Sequence, residues 1–366
     1  MRKKILITTN IPAPYRVDFF CYLQNHVKEY DIHVLFSSES EDNRRWNADE
    51  KKLSNTHYLK TKSIKIQKRY DTKYIYFPVG IGKELKNINP DIIIGWEYNP
   101  VSVQIMAWCR IHKRRYITLT DGTLHSERNI NIVQKITRKY IISKCDAAIA
   151  SSTKAKEKLL SWGISEKKVF LSLLTVDIEP YINIHRVPVS GRLLYVGSMI
   201  QRKGLDLLIS ALKYVNCQYE LRIVGNGSEE EIRRLKQQIE NEGLTDSVLF
   251  CGYKEGKELI EEYQYAEAFV FPTREDCFGL VLVEALAAKV PIISSIYADG
   301  AYDIIEDGIN GLFVDPYNAK AFAKSIDYIL GKKMKWYSNA DAVNKFLFQE
   351  TVKGYKSAIQ YVCSTN

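Results

Sequence analysis

The stretch from Ala268 to Ser294 most strongly constrains how this chain can fold. It predicts a buried strand ending at Phe271, a polar turn, a helix from about Phe278 and a second buried strand. Both strands are apolar without alternation, which is typical of parallel sheets covered by helices on both faces. In such a unit the turn lies at the carboxyl edge of the sheet, where α/β proteins bind their ligands.

Glu284 is the unusual residue of this stretch, because the helix around it is apolar on nearly every side. A carboxylate in such a helix costs free energy unless something pairs with it. The partner is either a ligand or a neighbouring lysine or backbone group. A ribose is a suitable ligand, since its adjacent hydroxyls can donate to the two carboxylate oxygens.

The turn before this helix carries Asp276 and Gly279. A glycine at this point lets a ligand approach the backbone closely. Asp276 has two interpretations, because an aspartate just before a helix is often only its N-cap. The other interpretation is a ligand contact at the carboxyl edge of the sheet.

The same alternation of strand and helix runs through the rest of the chain and predicts a parallel α/β architecture. A chain of 366 residues has the length of two domains. The other short strands are expected at Lys4–Thr8, Asp31–Phe36, Asp91–Ile94, Tyr116–Leu119, Ala147–Ala150, Val169–Leu173, Leu193–Val196, Tyr219–Val224 and Val248–Cys251.

The domain boundary is expected in residues 177–191, which contain two prolines and a glycine and show no periodicity. We therefore predict one domain over residues 1–182 and a second over 190–345, with a helix at about 347–366 packing back on the first. The predicted fold class is α/β, with two facing Rossmann-like domains, parallel sheets and an interdomain cleft. Residues 37–75 are polar and are expected to form a long excursion.

Charge is distributed unevenly between the two halves. Residues 1–185 hold 31 Lys and Arg against 19 Asp and Glu, a net charge of +12, whereas the rest of the chain has a net charge of −3. A basic first half favours an anionic surface or a lipid phosphate as its partner. The alternative is that the lysines only keep the chain in solution. Nucleic acid is not expected, since no recognition motif accompanies the charge.

The longest apolar run, Gly279 to Ala298, is interrupted by Glu284, Lys289 and Pro291, so no membrane span is predicted. The basic start of the chain leads into a short strand and then prolines, unlike a signal peptide. We therefore expect a cytoplasmic protein, located at the inner face of the cytoplasmic membrane where the basic half contacts it.

A second candidate site follows the strand at Leu193–Val196. The turn Gly197–Gly204 carries Arg202 and Lys203 and opens a helix that is expected over Lys203–Val215. Helix N-termini hold anions, and adjacent cations strengthen a phosphate site. The alternative is two solvated charges on an exposed turn.

Another turn, at Gly252 and Tyr253, ends a strand in the same predicted sheet. Its backbone is a candidate contact for a nucleobase, and a simple tight turn is the alternative.

In the first half, four polar residues follow strands and are expected at the carboxyl edge of the sheet. Arg16 is a candidate contact to phosphate or acceptor, and Glu97 and Asp121 line the same edge. His125 is a candidate to hydrogen-bond a sugar hydroxyl or to act as general acid or base. For Arg16 and His125 the alternative is an ordinary solvated side chain.

Four segments together resemble the retaining glycosyltransferases of family 4, also described as glycosyl transferases group 1, which have the GT-B architecture. The resemblance is strong over about residues 190–316 and thinner before them. The segments are Pro12–Arg16, the turn Gly197–Gly204, the acidic pair Asp276 and Glu284, and Ile304–Val314.

Three departures accompany the resemblance. Asp276 stands where a glutamate is usual, and Ser198 stands where many members carry an arginine. The glycine-rich loop that many members have after the first strand is replaced here by prolines.

The resemblance implies a donor site in the second domain and an acceptor side in the first. Glu284 would bind the ribose, Lys203 the diphosphate, and Asp276 the donor sugar. His125, Asp276 and Lys203 are the expected catalytic residues, and Arg16, Glu97 and Asp121 the acceptor-side residues. The expected donor-binding residues are Arg202, Lys203, Gly252, Tyr253, Asp276, Phe278, Gly279, Leu280 and Glu284.

The resemblance also implies the reaction. A hexosyl or N-acetylhexosaminyl group would move with retention from a nucleotide sugar, a UDP-sugar in preference to a GDP-sugar, to a glycan or polyprenyl-phosphate-linked acceptor, in polysaccharide or glycoconjugate synthesis. No cofactor is expected, and no metal, since the chain has no DxD triplet. Two alternatives remain open: an inactive glycosyltransferase-like subunit for binding or assembly, and a GT-B sugar-nucleotide epimerase.

Overall fold

The computed structural model describes residues 2–41, 49–67, 72–331 and 340–365. Within these ranges the chain folds as two compact units. Unit 1 is formed by the chain up to Asp177 together with the residues from Phe346 onwards, and unit 2 by Ile178–Lys345.

The structure contains fifteen strands and fourteen helices in the described ranges. The strands are β1 (Lys3–Thr9), β2 (Tyr30–Phe36), β3 (Thr56–Tyr58), β4 (Lys60–Gln67), β5 (Thr72–Val79), β6 (Ile92–Trp96), β7 (Arg115–Thr120), β8 (Ala147–Ala150), β9 (Val169–Leu171), β10 (Arg192–Val196), β11 (Glu220–Val224), β12 (Val248–Gly252), β13 (Ala268–Phe271), β14 (Ile292–Ser295) and β15 (Gly311–Val314). The helices are α1 (Pro14–His26), α2 (Ile81–Ile88), α3 (Pro100–Ile111), α4 (Ile132–Lys144), α5 (Thr153–Ser161), α6 (Glu179–Ile182), α7 (Leu205–Leu212), α8 (Glu229–Asn241), α9 (Gly256–Tyr265), α10 (Leu280–Ala287), α11 (Ala301–Ile304), α12 (Ala319–Leu330), α13 (Ala340–Asn344) and α14 (Phe348–Ser364).

Unit 1 is built on a seven-stranded sheet in the order β3-β2-β1-β6-β7-β8-β9, and every paired neighbour is parallel. The strand order reverses between β1 and β6. The carboxyl ends of these two strands, at Thr9 and Trp96, therefore border the switch point at which α/β sheets bind ligands.

Helices cover both faces of this sheet, which explains why its central strands are continuously apolar. One face packs against α2 to α5, with Leu85, Ile105 and Ile141 fully or almost fully buried. The other face packs against α1 and α14, where the rings of Phe19 and Tyr355 lie 5.2 Å apart between centroids. The C-terminal helix is thus part of the core of unit 1.

Unit 2 repeats this architecture with six parallel strands in the order β12-β11-β10-β13-β14-β15. Its strand order reverses between β10 and β13. The turns that follow these two strands therefore lie at the switch point of the second sheet.

The structure differs from the sequence prediction in three places. Part of the expected polar excursion forms an antiparallel hairpin of β4 and β5. The helix expected from Lys203 begins at Leu205, and the helix expected from Phe278 begins at Leu280. In both cases a glycine with positive φ, Gly204 at 71° and Gly279 at 82°, occupies the N-cap, and this left-handed conformation cannot continue a helix. No helix in the described residues is long and apolar enough to cross a membrane.

Candidate functional site

The turn after β10 lies against the segment that follows β13. Gly204 makes this contact possible, because a Cβ at its position would stand 2.0 Å from the carbonyl oxygen of Pro272. Two hydrogen bonds then join the segments: the amide of Arg274 donates to the carbonyl of Arg202 at 2.8 Å, and Thr273 Oγ1 donates to the same carbonyl at 3.1 Å. The backbone around Arg202 and Lys203 is therefore held in place.

Arg274 adds a side-chain clamp to this junction. Its guanidinium forms two hydrogen bonds of 2.7 Å to the carboxylate of Asp206 in the first turn of α7, and a third of 2.6 Å to the carbonyl of Gln201. Sequence analysis did not identify Arg274 or Asp206. Only the pairing of β10 with β13 reveals that these residues meet, since they are 68 positions apart.

Asp276 is the centre of a charged cluster. Its Oδ2 accepts from Lys203 Nζ at 2.6 Å and from Arg202 Nη1 at 3.3 Å, while its Oδ1 accepts from the amide of Phe278 at 3.1 Å. Burial acts to raise the pKa of Asp276, but the charges of Lys203 and Arg202, with these hydrogen bonds, lower it to about 2. The carboxylate is therefore ionised at every physiological pH and holds two cations at the switch point.

The loop that carries Asp276 is fixed by its backbone. The amide of Asp276 donates to Tyr297 at 3.1 Å, and its carbonyl accepts from the amide of Asp299 at 2.9 Å. Gly300 allows close packing, because a Cβ there would stand 2.5 Å from the Cα of Phe278. The backbone of Phe278 and Gly279, which precedes α10, is thus presented in one conformation.

Glu284 lies on α10 and is only 9% exposed. Its Oε2 accepts a hydrogen bond of 2.8 Å from the hydroxyl of Tyr263, a fully buried residue of α9. Burial raises the pKa of Glu284 to about 7, and the tyrosine hydrogen bond only partly opposes this. The partner in the structure is therefore a tyrosine, and neither the lysine nor the backbone group that the sequence suggested.

Gly252 ends the edge strand β12 and Tyr253 follows it. Strand β12 lies two strands from β10 in the sheet order. Gly252 has a φ of 72° and accepts at its carbonyl from the amide of Gly225 at 2.8 Å. The side chain of Tyr253 is exposed and its hydroxyl donates to Glu255 at 2.9 Å. These residues lie on the same carboxyl edge as the charged cluster.

In unit 1, Arg16 and Asp121 lie together at the switch point of the sheet. The guanidinium carbon of Arg16 stacks 3.8 Å from the ring centroid of Trp96, and Arg16 Nη2 is 4.0 Å from Asp121 Oδ2. The indole of Trp96 donates to Asp121 Oδ1 at 3.0 Å. Burial acts to lower the pKa of Arg16, but Tyr15 and Asp121 outweigh it and raise this pKa above its ordinary value. Trp96 was not predicted as a site residue, although it directly precedes Glu97.

These residues border a concavity within unit 1. Most of its walls are apolar, and they come from the ends of β1, β6 and β7, from α1, from the segment after β9 and from α14. The apolar side chains include Phe19, Phe20, Leu119, Leu173 and Tyr355.

Glu97 is half-buried and hydrogen-bonds within the loop that follows β7. It has a φ of 58°, and its Oε1 accepts from Thr120 Oγ1 at 2.8 Å and from the amide of Asp121 at 2.9 Å. Burial, followed by the charge of Asp121, raises the pKa of Glu97 to about 7, which Lys158 partly opposes. The structure therefore gives Glu97 a positioning role in the Asp121 loop.

A buried ionic network supports this loop. Lys158, which is 1% exposed, donates to Thr120 Oγ1 at 2.9 Å and pairs with Glu127 at 3.3 Å. Arg138 binds Glu127 through two hydrogen bonds, of 2.7 and 2.9 Å. His125 is half-buried in the turn just before Glu127, where its carbonyl accepts from Arg128 at 2.6 Å. Sequence analysis missed Lys158, Glu127 and Arg138.

The structure thus brings the predicted residues together in two groups. Arg202, Lys203 and Asp276 form one cluster in unit 2, and Arg16 contacts Asp121 in unit 1. Glu284 is held separately by Tyr263. The described residues contain no group of three or more His, Cys, Asp or Glu side chains that could hold a metal ion.

Residues 186–343 match the family described as glycosyl transferases group 1. An uncharacterized glycosyltransferase of Methanocaldococcus jannaschii is 30% identical over 177 residues, which is 46% of this chain and 45% of that protein. The chain matches only about half the length of its first curated relatives.

Solved structures match over nearly the whole chain. The Anabaena protein HepE in complex with UDP has a TM-score of 0.77 at 16% identity, covering 98% of this chain and 100% of that one. The lipopolysaccharide outer core galactosyltransferase WaaB has a TM-score of 0.75 at 16% identity, covering 98% and 99%. At this identity the likeness shows the fold, and the α/β architecture expected from the sequence is confirmed.

Proposed function

We propose that this chain, which has the GT-B fold and whose residues 186–343 match the glycosyl transferases group 1, transfers a sugar from a nucleotide-sugar donor to an acceptor. The observation that carries the proposal is the cluster of Lys203 and Arg202 around Asp276 at the switch point of unit 2. Cations fixed at such a position suit a diphosphate. The clamp between Arg274 and Asp206 holds them there before the ligand arrives.

In this proposal the donor is a nucleotide sugar held by unit 2. Lys203 and Arg202 contact the diphosphate, Glu284 accepts from the ribose hydroxyls, and Asp276 with the backbone of Phe278, Gly279 and Leu280 orients the sugar. Gly252 and Tyr253 contact the base. UDP is the preferred carrier, because a structural neighbour was solved with UDP bound.

The chemical step breaks the bond between the anomeric carbon and the diphosphate oxygen, and the electron pair of this bond stays on the leaving diphosphate. Lys203 and Arg202 stabilise the negative charge that develops there. The acceptor hydroxyl attacks from the face that the diphosphate leaves and gives its proton to a diphosphate oxygen. The sugar, a hexosyl or N-acetylhexosaminyl group, therefore keeps its anomeric configuration, and the proposal requires no metal.

Unit 1 supplies the acceptor side of the proposal. Arg16 and Asp121 border an apolar concavity, which suits an acceptor with a hydroxyl-bearing head and an apolar part. A glycan or a polyprenyl-phosphate-linked sugar has these groups, and in this proposal His125 hydrogen-bonds a sugar hydroxyl of the acceptor. Such a reaction belongs to polysaccharide or glycoconjugate synthesis.

A panel of UDP- and GDP-sugars tests the donor. We expect the matching UDP-sugar to raise the melting temperature, since ligands stabilise the state that binds them. With a suitable acceptor, the product should carry the donor sugar with retained configuration by nuclear magnetic resonance, and addition of EDTA should not change the rate.

Three results would contradict the proposal. Binding without turnover by any acceptor would indicate an inactive subunit, a modified nucleotide sugar without an acceptor adduct would indicate an epimerase, and an inverted product would remove retention. The comparisons favour neither the inactive subunit nor the epimerase.

A further inference from the structure

Unit 1 exposes a group of aliphatic side chains on and just before α4. Such side chains are normally buried, and a contiguous exposed group marks an interaction site. Their exposed fractions range from 51% to 68%. We call this group, with the two lysines that flank it, the α4 surface, and its members are Leu124, Ile132, Val133, Ile136, Lys135 and Lys139.

The geometry of α4 explains why these side chains share one face. Each residue turns the helix by about 100°, so positions 132, 133 and 136 fall on one side. The opposite side of the helix is buried, with Ile141 and Ile142 in the core of unit 1. Asn131 and Gln134 form a capping box, with hydrogen bonds of 2.9 and 3.0 Å, so the exposed apolar residues belong to a well-formed helix start.

The surroundings of these side chains are basic. The sequence from Gly122 to Cys145 holds five Lys and Arg residues and one acidic residue, Glu127. That glutamate is held by Arg138 and Lys158 on the inner side of the segment. Lys135 and Lys139 are exposed beside the apolar group. The α4 surface therefore combines apolar side chains with unneutralised positive charge.

We propose that the α4 surface docks on an anionic lipid bilayer. An amphipathic helix of this kind lies in the plane of the membrane with its apolar side chains in the headgroup boundary. Lys135 and Lys139 would then lie at the level of the lipid phosphates. Nucleic acid fits less well, because the exposed group is aliphatic and offers no aromatic side chain for base stacking.

Docking through the α4 surface would bring the carboxyl edge of the unit 1 sheet close to the membrane. Helix α4 follows β7, so its exposed N-terminal turns lie toward the carboxyl edge of the sheet, where Asp121 and the apolar concavity are also found. A lipid-linked acceptor at the membrane would meet this edge first. The docking itself does not depend on the proposed transfer reaction, and vesicle binding tests it alone.

The test uses the full chain and sedimentation with vesicles of phosphatidylcholine, with or without phosphatidylglycerol. We expect binding only to the anionic vesicles, weakened by salt. The double substitution K135Q/K139Q should weaken it about 30-fold, which corresponds to about 1 kcal/mol per lysine. The double substitution I132Q/I136Q should abolish insertion of the α4 surface into the bilayer. Insertion is measured as the protection of a fluorophore, attached to the protein near α4, from a quencher in the aqueous phase.

Matched controls are available in unit 1. Lys83 and Lys86 are exposed on α2, so K83Q/K86Q makes the same change of charge elsewhere. Ile111 is 76% exposed at the end of α3, so I111Q removes an exposed aliphatic side chain outside the α4 surface. We expect each control to bind vesicles within about twofold of the parent chain.

Three outcomes would overturn the proposal. Equal binding to neutral vesicles would remove the electrostatic part, and equal losses in K83Q/K86Q and K135Q/K139Q would show only a diffuse effect of net charge. A mass of two chains by light scattering, reduced to one chain by I132Q/I136Q, would instead show that a second copy covers the α4 surface.

Discussion

The two units have the same sheet topology at their switch points but carry different charges there. In unit 2, Lys203 and Arg202 converge on Asp276 at the carboxyl edge. In unit 1 the charged groups of the loop after β7 are paired inside the unit, with Lys158 and Glu127 among them. What remains at the edge of unit 1 is an apolar concavity bordered by the pair of Arg16 and Asp121. The comparison teaches that the same topology presents different surfaces according to where the turn residues place their charges.

The carboxylates of unit 2 show the same contrast on a smaller scale. Asp276 has cations as neighbours, and its pKa is lowered to about 2. Glu284 has only the hydroxyl of Tyr263 as its hydrogen-bond partner among the described residues, and its pKa is raised to about 7. No cation in the described part of the chain lies beside Glu284 to attract an anion, whereas its carboxyl oxygens can accept from hydroxyl donors, as they do from Tyr263. This difference supports the proposed division between diphosphate and ribose.

The largest expected effect concerns the buried network of unit 1. Lys158→Met should lower the free energy of unfolding by about 3–5 kcal/mol, because it leaves the largely buried Glu127 with one cation fewer and removes one of the two donors to Thr120 Oγ1. Urea denaturation at neutral pH measures this. Lys156→Met on the same helix is the matched control, since Lys156 pairs with the exposed Glu166, and its cost should stay below about 1 kcal/mol. Equal costs for both variants would show that the network is not what supports the loop.

The next effect tests the anion site of unit 2. Lys203→Met should reduce the transfer rate by about 100- to 1000-fold, since it removes a cation that stabilises the leaving diphosphate. Lys213→Met provides the control, because Lys213 pairs with Glu242 at the other end of α7. The transfer rate of Lys213→Met should equal that of the parent chain. A Lys203→Met variant that folds normally and keeps more than about a tenth of the rate would remove Lys203 from the catalytic group.

Most strands of both sheets could be predicted from the sequence because they are short, apolar and separated by helices. Ala147–Ala150 and Ala268–Phe271 lie where their composition placed them. The hairpin of β4 and β5 was missed, because β4 has only two apolar residues, Ile64 and Ile66, among its eight positions. It lacks the half-buried pattern by which a strand is identified from sequence.

The sequence predicts where the polar turns of the site lie, but it does not predict which side chains in these turns pair with one another. Glu284 stands out because its helix is apolar, but Tyr263 gives no signal in a sequence with 24 tyrosines. The clamp of Arg274 and Asp206 depends on which strands are neighbours. Single residues with unusual surroundings can therefore be identified from sequence, whereas their partners require the topology.

A third, smaller effect tests the pKa of Glu284. The folded pKa of about 7 exceeds the ordinary value of 4.5, so the folded protein binds a proton that the unfolded chain releases between these values. The stability that this group contributes is therefore complete below pH 4.5 and is lost as the pH rises to 7, by up to about 3 kcal/mol. Because glutamine does not titrate, Glu284→Gln should gain stability relative to the parent chain between pH 5 and pH 8.

Urea denaturation of both chains at the two pH values measures this difference, and Glu262 supplies a control of opposite sign. Burial acts to raise the pKa of Glu262, but hydrogen bonds from Arg222 and Lys254 lower it. Glu262→Gln should therefore lose stability relative to the parent chain as the pH rises through the acid range. A difference for Glu284→Gln that does not change with pH would mean that Glu284 is ionised in the folded protein.

The smallest expected effect tests whether the donor and the acceptor bind to separate units. Asp121→Asn keeps an oxygen that accepts from Trp96 but removes the charge 4.0 Å from Arg16. The loss of one partly buried charge interaction should raise the acceptor KM by about three- to tenfold. Calorimetry of nucleotide-sugar binding should show no change, because Asp121 belongs to unit 1. Asp18→Asn, which breaks an exposed pair with Lys52 on the same unit, should change neither quantity.

If Asp121→Asn weakens donor binding as much as it raises the acceptor KM, the assignment of donor and acceptor to separate units is wrong, since a charge that serves only the acceptor has no reason to affect the donor.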